Sequence, residues 1–370
     1  MSNFLELIER AGVVGCGGAG FPAHIKFNTT AEIFIVNAAE CEPLLATDRY
    51  LLREKAAQIC AAAQEVRRHL GANQCVVATK ETYTAEIAAL NAVLPEYPNM
   101  RLHLMTSFYP AGDEQIMVFE VTGRVVPPRG LPRDVGCVVS NAATLLAVHD
   151  AMQGIAFTEK YLTIGGEVND PKVIKVPVGT SFGQCLELAG GSKIADYVIV
   201  SGGPMMGKVH SLREGEELSV TKTTSGFLVL PAHTKVVRYA RLDEEQTLRR
   251  ARAACIQCSF CTQLCPRYLL GHPLEPHRIM RKISCNKNWR ANLAHDKILQ
   301  CAVLCCECGI CELYSCPMQL QPRKINALIK QEIRKNNIDL PKFELDSDPR
   351  PYRQLRKVPT RKAAVRAGVG

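Results

Sequence analysis

Residues 255–267 read CIQCSFCTQLCPR, and residues 305–317 read CCECGICELYSCP. The first run spaces Cys255, Cys258, Cys261 and Cys265 as C-x2-C-x2-C-x3-C, with Pro266 next. The second spaces Cys305, Cys308, Cys311 and Cys316 in the same way, with one extra residue in the last gap and Pro317 next. This is the bacterial ferredoxin pattern, in which three thiolates of a run hold one cubane and the fourth reaches the other. The spacing therefore assigns Cys255, Cys258, Cys261 and Cys316 to one [4Fe–4S] cluster. Cys305, Cys308, Cys311 and Cys265 go to a second. Proline after each fourth cysteine suits a helix start, because its φ is fixed. A pair of zinc sites is the alternative, but zinc favours two CxxC knuckles with a longer spacer. Cys306 falls outside the spacing, and Cys285 and Cys301 read as spare thiols.

Outward from these runs, the other cysteines thin out. Eleven of the 17 lie between Cys255 and Cys316; the other six are scattered singly. A secreted disulfide scaffold would be short and cysteine-dense throughout. MSNFLELIER lacks the basic and apolar regions of a signal peptide, and no run approaches the roughly 20 apolar residues of a membrane helix. The expectation is a cytoplasmic chain without a membrane span. The net charge is +9, and residues 321–370 hold 13 Lys and Arg against 5 Asp and Glu. That tail reads as a solvated basic arm suited to an acidic partner. No aromatic interleaving supports nucleic-acid binding.

Residues 1–154 alternate strand and helix. IFIV, QCVVATK and RLHLMTS read as strands, while 48–70, TAEIAALNAVL and NAATLLAVHDAM read as helices. The fold class is α/β, with a mainly parallel sheet. Residues 155–235 are richer in short strands and glycine and read as a β module. Residues 243–337 read as a helical domain carrying both cysteine runs, and 338–370 as the basic tail. Gly15-Cys16-Gly17-Gly18-Ala19-Gly20 satisfies G-x-G-x-x-G, yet a helix precedes it instead of a strand and Pro22 follows at once. A dinucleotide site is therefore weakly supported there. Closely spaced glycines do let backbone N–H groups approach a phosphate or a flat ring. His24, His149 and His272 show no partner pattern and read as structural.

GCGGAGFPAHIKF with VNAAECEPLLATDRYLL, then YPAGDEQ, GRVVPPRGLP, VGCVVSNAATLLAV, VSGGPMMG and GHPLEPH, resembles the family of the respiratory complex I flavin subunit. The resemblance is stronger to the Rnf complex C subunit and to the corrinoid reductases of propanediol-utilisation microcompartments. It implies a complex I-type FMN domain, a soluble-ligand-binding β-grasp (SLBB) module and a two-cluster ferredoxin-like domain. By that resemblance FMN is held by Gly15, Gly17, Gly18 and Lys26, by Asn37 and Glu40, by Tyr109, Gly112 and Asp113, and by Ser140, Asn141 and Thr144. Phe21, Glu42 and Glu114 match positions that meet NADH. Cys16, Ala39 and Ser140 depart from the respiratory pattern.

The implied function is an NADH-dependent oxidoreductase that passes electrons through FMN and two clusters to an acceptor, expected to be a corrinoid in the cobalamin reductase manner. Microcompartment association, with shell proteins or an adenosyltransferase as partners, is part of the same implication. The alternative is a non-catalytic relay subunit of an Rnf-like complex. Two cubanes require about eight iron atoms per chain after anaerobic purification. Iron analysis giving fewer than about six would remove the two-cluster assignment.

Overall fold

The computed structural model describes residues 2–369. The N-terminal part contains β1 (Ile33–Asn37), β2 (Gln74–Lys80), β3 (Met100–Met105), β4 (Phe108–Tyr109) and β5 (Cys137–Asn141). Its helices are α1 (Ser2–Arg10), α2 (Ala23–Phe27), α3 (Thr47–Glu54), α4 (Ala56–His69), α5 (Thr84–Val93), α6 (Glu114–Thr122) and α7 (Ala142–Met152). Four strands form a sheet in the order β3-β2-β1-β5, with every pairing parallel. Parallel strands are buried on both faces, which explains unbroken apolar runs such as Phe34-Ile35-Val36, all fully buried. One face packs under α4 and α7, and the other under α6.

The strand order reverses at β1, which lies between β2 and β5. In an open parallel sheet such a switch point leaves a crevice at the carboxyl ends of the strands. Asn37 ends β1 directly beside Asn141, which ends β5. The loops that follow both strands therefore open into one place.

The helix expected over 48–70 is two helices, α3 and α4. Lys55 separates them at φ −132°, ψ 21°. Its N–H closes α3 on the Leu51 carbonyl, and the chain restarts at Ala56. The apolar pattern continues across the break, so periodicity gave no sign of it. Residues Leu51 and Leu52 and residues Ile59 and Cys60 all reach the same core.

The second part contains β6 (Glu159–Gly166), β7 (Lys172–Pro177), β8 (Tyr197–Ser201), β9 (Lys208–His210) and β10 (Gly226–Pro231), with α8 (Phe182–Leu188) and α9 (Leu212–Glu217). The sheet order is β7-β6-β10-β8-β9. Phe182 of α8 stacks on Phe227 of β10 at 4.6 Å. This module is joined to the first part by side-chain bonds from α3. The Thr47 hydroxyl donates to the Ser225 carbonyl at 2.7 Å and lies 2.7 Å from the Thr163 hydroxyl.

Helices α10 (Lys235–Arg241), α11 (Glu244–Ala254), α12 (Phe260–Gln263), α13 (Pro266–Leu269), α14 (Pro276–Cys285), α15 (Lys297–Gln300) and α16 (Pro322–Lys335) follow. Their core gathers Trp289, Ile279, Ile283, Ile325 and Ile329. Among the described residues no helix is long and apolar enough to cross a membrane.

The basic tail is not a solvated arm; it is a strap. β11 (Val358–Pro359) pairs antiparallel with β4, and α17 (Thr360–Ala367) buries Ala363 and Ala367. Asp346 N–H donates to the Gly271 carbonyl and Arg350 N–H to the Leu269 carbonyl. Gly271 sits at φ +93°, and a Cβ there would lie 2.0 Å from the Ser347 carbonyl oxygen. The cations also have partners. Arg353 and Lys357 both bind the buried carboxylate of Glu120, Lys357 at 2.8 Å. They also lie over the rings of Phe119 and Phe108, at 4.3 and 4.4 Å. Net charge reads as solvated when the alanine and valine contacts between the charges are weighted lightly. Glu120→Ala strands both largely buried cations and should cost about 1–3 kcal/mol. Urea unfolding with limited trypsin digestion checks this; an unchanged midpoint with an uncut tail would show that Glu120 does not anchor the strap.

Candidate flavin and cluster sites

A cavity of about 360 Å³ opens at the switch point, within the range of small-molecule and cofactor sites. Its walls come from the glycine-rich loop, the β1–α3 loop, the start of α6, the β5–α7 junction and the second module. Gly15, Gly17, Phe21, Lys26, Asn37, Glu40, Glu42, Gly112, Asp113, Glu114, Ser140, Asn141 and Thr144 all line it. Gly18 and Tyr109 are absent from the lining.

Most of these side chains shape the cavity by holding one loop to another. Cys16 N–H donates to the Thr144 hydroxyl at 2.9 Å, which ties the glycine loop to α7. Asn37 donates its amide to the Gly112 carbonyl at 2.9 Å and accepts from Ala39 N–H. Asn141 caps α7 by accepting from Ala143 N–H and donates to the Asp48 carboxylate at 2.7 Å. Gly112 has a steric role, because a Cβ would fall 2.8 Å from the Ala39 carbonyl oxygen. Loop and helix-end backbone forms much of the wall, which suits a flat ring and a phosphate.

Tyr109 occupies a different place from the one expected. Its ring is fully buried, and its hydroxyl donates to the Cys308 carbonyl at 2.7 Å. It ties the second cysteine loop to the cavity wall, its hydroxyl also lying 3.5 Å from the Glu42 carboxylate. A tyrosine between loop residues reads equally well as a ligand contact, and only packing distinguishes the two. Glu42 is also engaged already. Its carboxylate accepts from Met205 N–H at 2.9 Å, in the loop between β8 and β9. Burial pushes Glu42 up to about 7. Phe21 is half exposed at the mouth, and Glu114 faces Lys26 at 3.5 Å.

Asp113 caps α6 by accepting from Gln115 and Ile116 N–H, and it also pairs with Arg267. The guanidinium makes two bonds, 2.7 and 2.9 Å, with both groups largely buried. Arg267 lies two residues after Cys265, so the pair joins the cavity to the first cysteine run. The sequence reading missed Arg267; its nearness to the cysteine-proline step was the only available sign.

The cysteines surround two small cavities. Cys255, Cys258, Cys261 and Cys316 line one; Cys265, Cys305, Cys308 and Cys311 line the other, with Cys306 beside them. Both CxxCxxC turns repeat one backbone pattern: Gln257 and Ser259 in the first, Glu307 and Gly309 in the second, are left-handed at φ +56°, +63°, +57° and +80°. Such turns aim successive N–H groups inward and suit an anionic cluster. After Gly309 the chain forms a π-helical turn, Ile310–Ser315, which takes up the extra residue before Cys316. Cys306 and Cys308 also line the large cavity. The two sites therefore share a wall, which spacing alone did not suggest.

Burial and the neighbouring Asp48 carboxylate push Glu40 up to about 8, against a smaller opposing effect of Lys80. The buried Lys80 amine donates to the Glu40 carbonyl at 2.7 Å. The folded state therefore keeps a proton on Glu40 that the unfolded chain releases above the ordinary carboxylate range. More protons bound in the native state make stability fall as pH rises. Between about pH 5 and about pH 8 the thermal midpoint should decline, and Glu40→Gln should flatten that slope. An equal slope in wild type and variant would locate the titration elsewhere.

Residues 8–150 match the Nuo51 FMN-binding domain, 161–209 the SLBB domain and 254–321 the 4Fe-4S dicluster domain. Cobalamin reductase PduS of Salmonella typhimurium is 42% identical over 333 residues, spanning 90% of this chain and 72% of the relative. The C component of the proton-translocating ferredoxin:NAD(+) oxidoreductase complex of Clostridium ljungdahlii is 33% identical over 275 residues, 73% of this chain and 57% of that one. A chain of an NAD+-reducing [NiFe]-hydrogenase in the H2-reduced state superposes with a TM-score of 0.58 at 19% identity. It shares the fold over 92% of this chain and 64% of its own.

Proposed function

The chain belongs to the family of cobalamin reductase PduS, and from that premise we propose that it draws electrons from NADH and delivers them to a corrinoid. It is a flavin and iron–sulfur oxidoreductase by its domains. One observation carries the proposal: Cys306 and Cys308 line both the flavin-sized cavity and a cysteine-lined cavity. A donor site and a cluster site with a common wall suit electron transfer without further machinery.

FMN, when bound, accepts a hydride as two electrons and releases them singly, and the clusters carry one electron each. The protein's part is positioning. Gly15 and Gly17 leave room for close approach, and the start of α7, with Ser140, Asn141 and Thr144, presents the positive end of a helix dipole. Asn37, Glu40, Gly112 and Asp113 would flank the ring. Lys26 has a partner in Glu114 and offers the exposed side a cation. Phe21 at the mouth suits stacking against a nicotinamide, with Glu114 beside it; Glu42 would reach NADH only by giving up Met205 N–H. Cys255, Cys258, Cys261 and Cys316 would hold one cluster, and Cys265, Cys305, Cys308 and Cys311 the other.

Cys265, Cys308 and Cys311 are buried, whereas Cys255, Cys258 and Cys261 are partly exposed. On this reading the second cluster would lie on the inlet side and the first on the outlet side. The family resemblance extends this reading to a bacterial microcompartment, with shell proteins or an adenosyltransferase nearby. Anaerobically purified protein should hold about one FMN per chain and reduce cob(III)alamin with NADH, followed by visible spectroscopy. Clusters without flavin and without NADH-dependent reduction would favour the relay-subunit reading.

A further inference from the structure

Lys160 lines the large cavity from β6 of the second module, one residue before the SLBB match begins. It is 3% exposed. Among the described residues its ammonium makes no hydrogen bond or ion pair. Asp48, which also lines the cavity, feels the charge of Lys160, makes no ion pair with it and is already held by Asn141. Its stem is buried while the ammonium, without a protein partner, faces the cavity, so it is placed for an acceptor that a ligand brings.

The surroundings select that acceptor. Asp48 of α3 accepts from Asn141, the N-cap of α7, and Gly17 lies against Asn141, with a Cβ there 3.7 Å from the asparagine Cβ; β6, which carries Lys160, reaches α3 through the Thr47–Thr163 contact at 2.7 Å. The glycine loop, the first turn of α7 and Lys160 therefore form one continuous end of the cavity. α7 is 11 residues long, and its N-terminal turn favours an anion. The other lysine that lines the cavity, Lys26, already faces Glu114. A helix N-terminus together with the unpaired ammonium of a buried lysine fits a phosphate monoester better than a neutral ring carbonyl.

Building on the flavin reading above, we propose that Lys160 is a phosphate-binding residue for FMN, supplied by the second module and not by the flavin domain. The cofactor's phosphate thereby bridges the two modules. Lys160 also makes the site discriminate FMN from riboflavin, which has the same ring and no phosphate.

The test compares FMN and riboflavin binding to the full chain, purified anaerobically with its clusters, by flavin fluorescence. Wild type should bind FMN more tightly than riboflavin. Lys160→Met should weaken FMN by about 10- to 100-fold and leave riboflavin within about 2-fold; Lys160→Arg should recover most of the FMN affinity. Equal weakening of both flavins, or of neither, would overturn the proposal. Failure of wild type to bind either flavin would instead remove the flavin reading itself. A second measurement covers a variant that folds poorly. Inorganic phosphate should raise the thermal midpoint of wild type, and absence of that shift overturns the role of Lys160. In any Lys160 variant that folds, including Lys160→Gln, the shift should be lost; its persistence there overturns the role as well.

Discussion

The pair between Arg267 and Asp113 is the constraint on which the rest depends. Both groups are largely buried, and the guanidinium meets the carboxylate through two bonds. Removing either partner would strand a charge in the interior, a cost of about 3–5 kcal/mol. Asp113 also starts α6, which covers one face of the parallel sheet, and Arg267 follows the fourth cysteine of the first run. A single interaction thus fixes the cysteine loops against the cavity. Tyr109 repeats the connection from β4 to the Cys308 carbonyl, and the C-terminal strap closes over β4 from outside.

Seen from this junction, the cavity is a meeting of modules more than a groove in one domain. The sheet contributes the strand ends, and the dicluster domain contributes Cys306 and Cys308. The second module contributes Lys160 and Ser225, and its loop at Met205 holds Glu42. Several polar residues that a motif marks as ligand contacts spend their hydrogen bonds on neighbouring loops. Asn37, Asn141 and Thr144 are positioning groups in this sense. Their bonds keep the loops in place, so the backbone need not reorganise when a ligand arrives.

Much of the fold was legible beforehand because its signals are local. Apolar runs of strand length alternating with helical periods announce a parallel sheet, and the two cysteine runs announce their own turns. The break at Lys55 was not legible, since the apolar pattern continues through it. The strap was not legible either. Its stability comes from Glu120 and from two aromatic faces more than 200 residues earlier in the chain, and charge counting registers none of these.

The sequence by itself determined where the strands and helices of the first part fall and where the two cysteine runs lie. Those features follow from spacing and periodicity, which are properties of neighbours in the chain, whereas the residues expected around the cavity came only from the family resemblance. Tertiary structure alone decided that Tyr109 faces Cys308, that Glu42 is already bonded, and that Cys306 belongs to a shared wall. It also decided that Lys160 enters from the second module. Each of these depends on an acceptor or a void contributed by a distant segment. Burial sets the energetic weight of such a group, and burial exists only once the modules have docked.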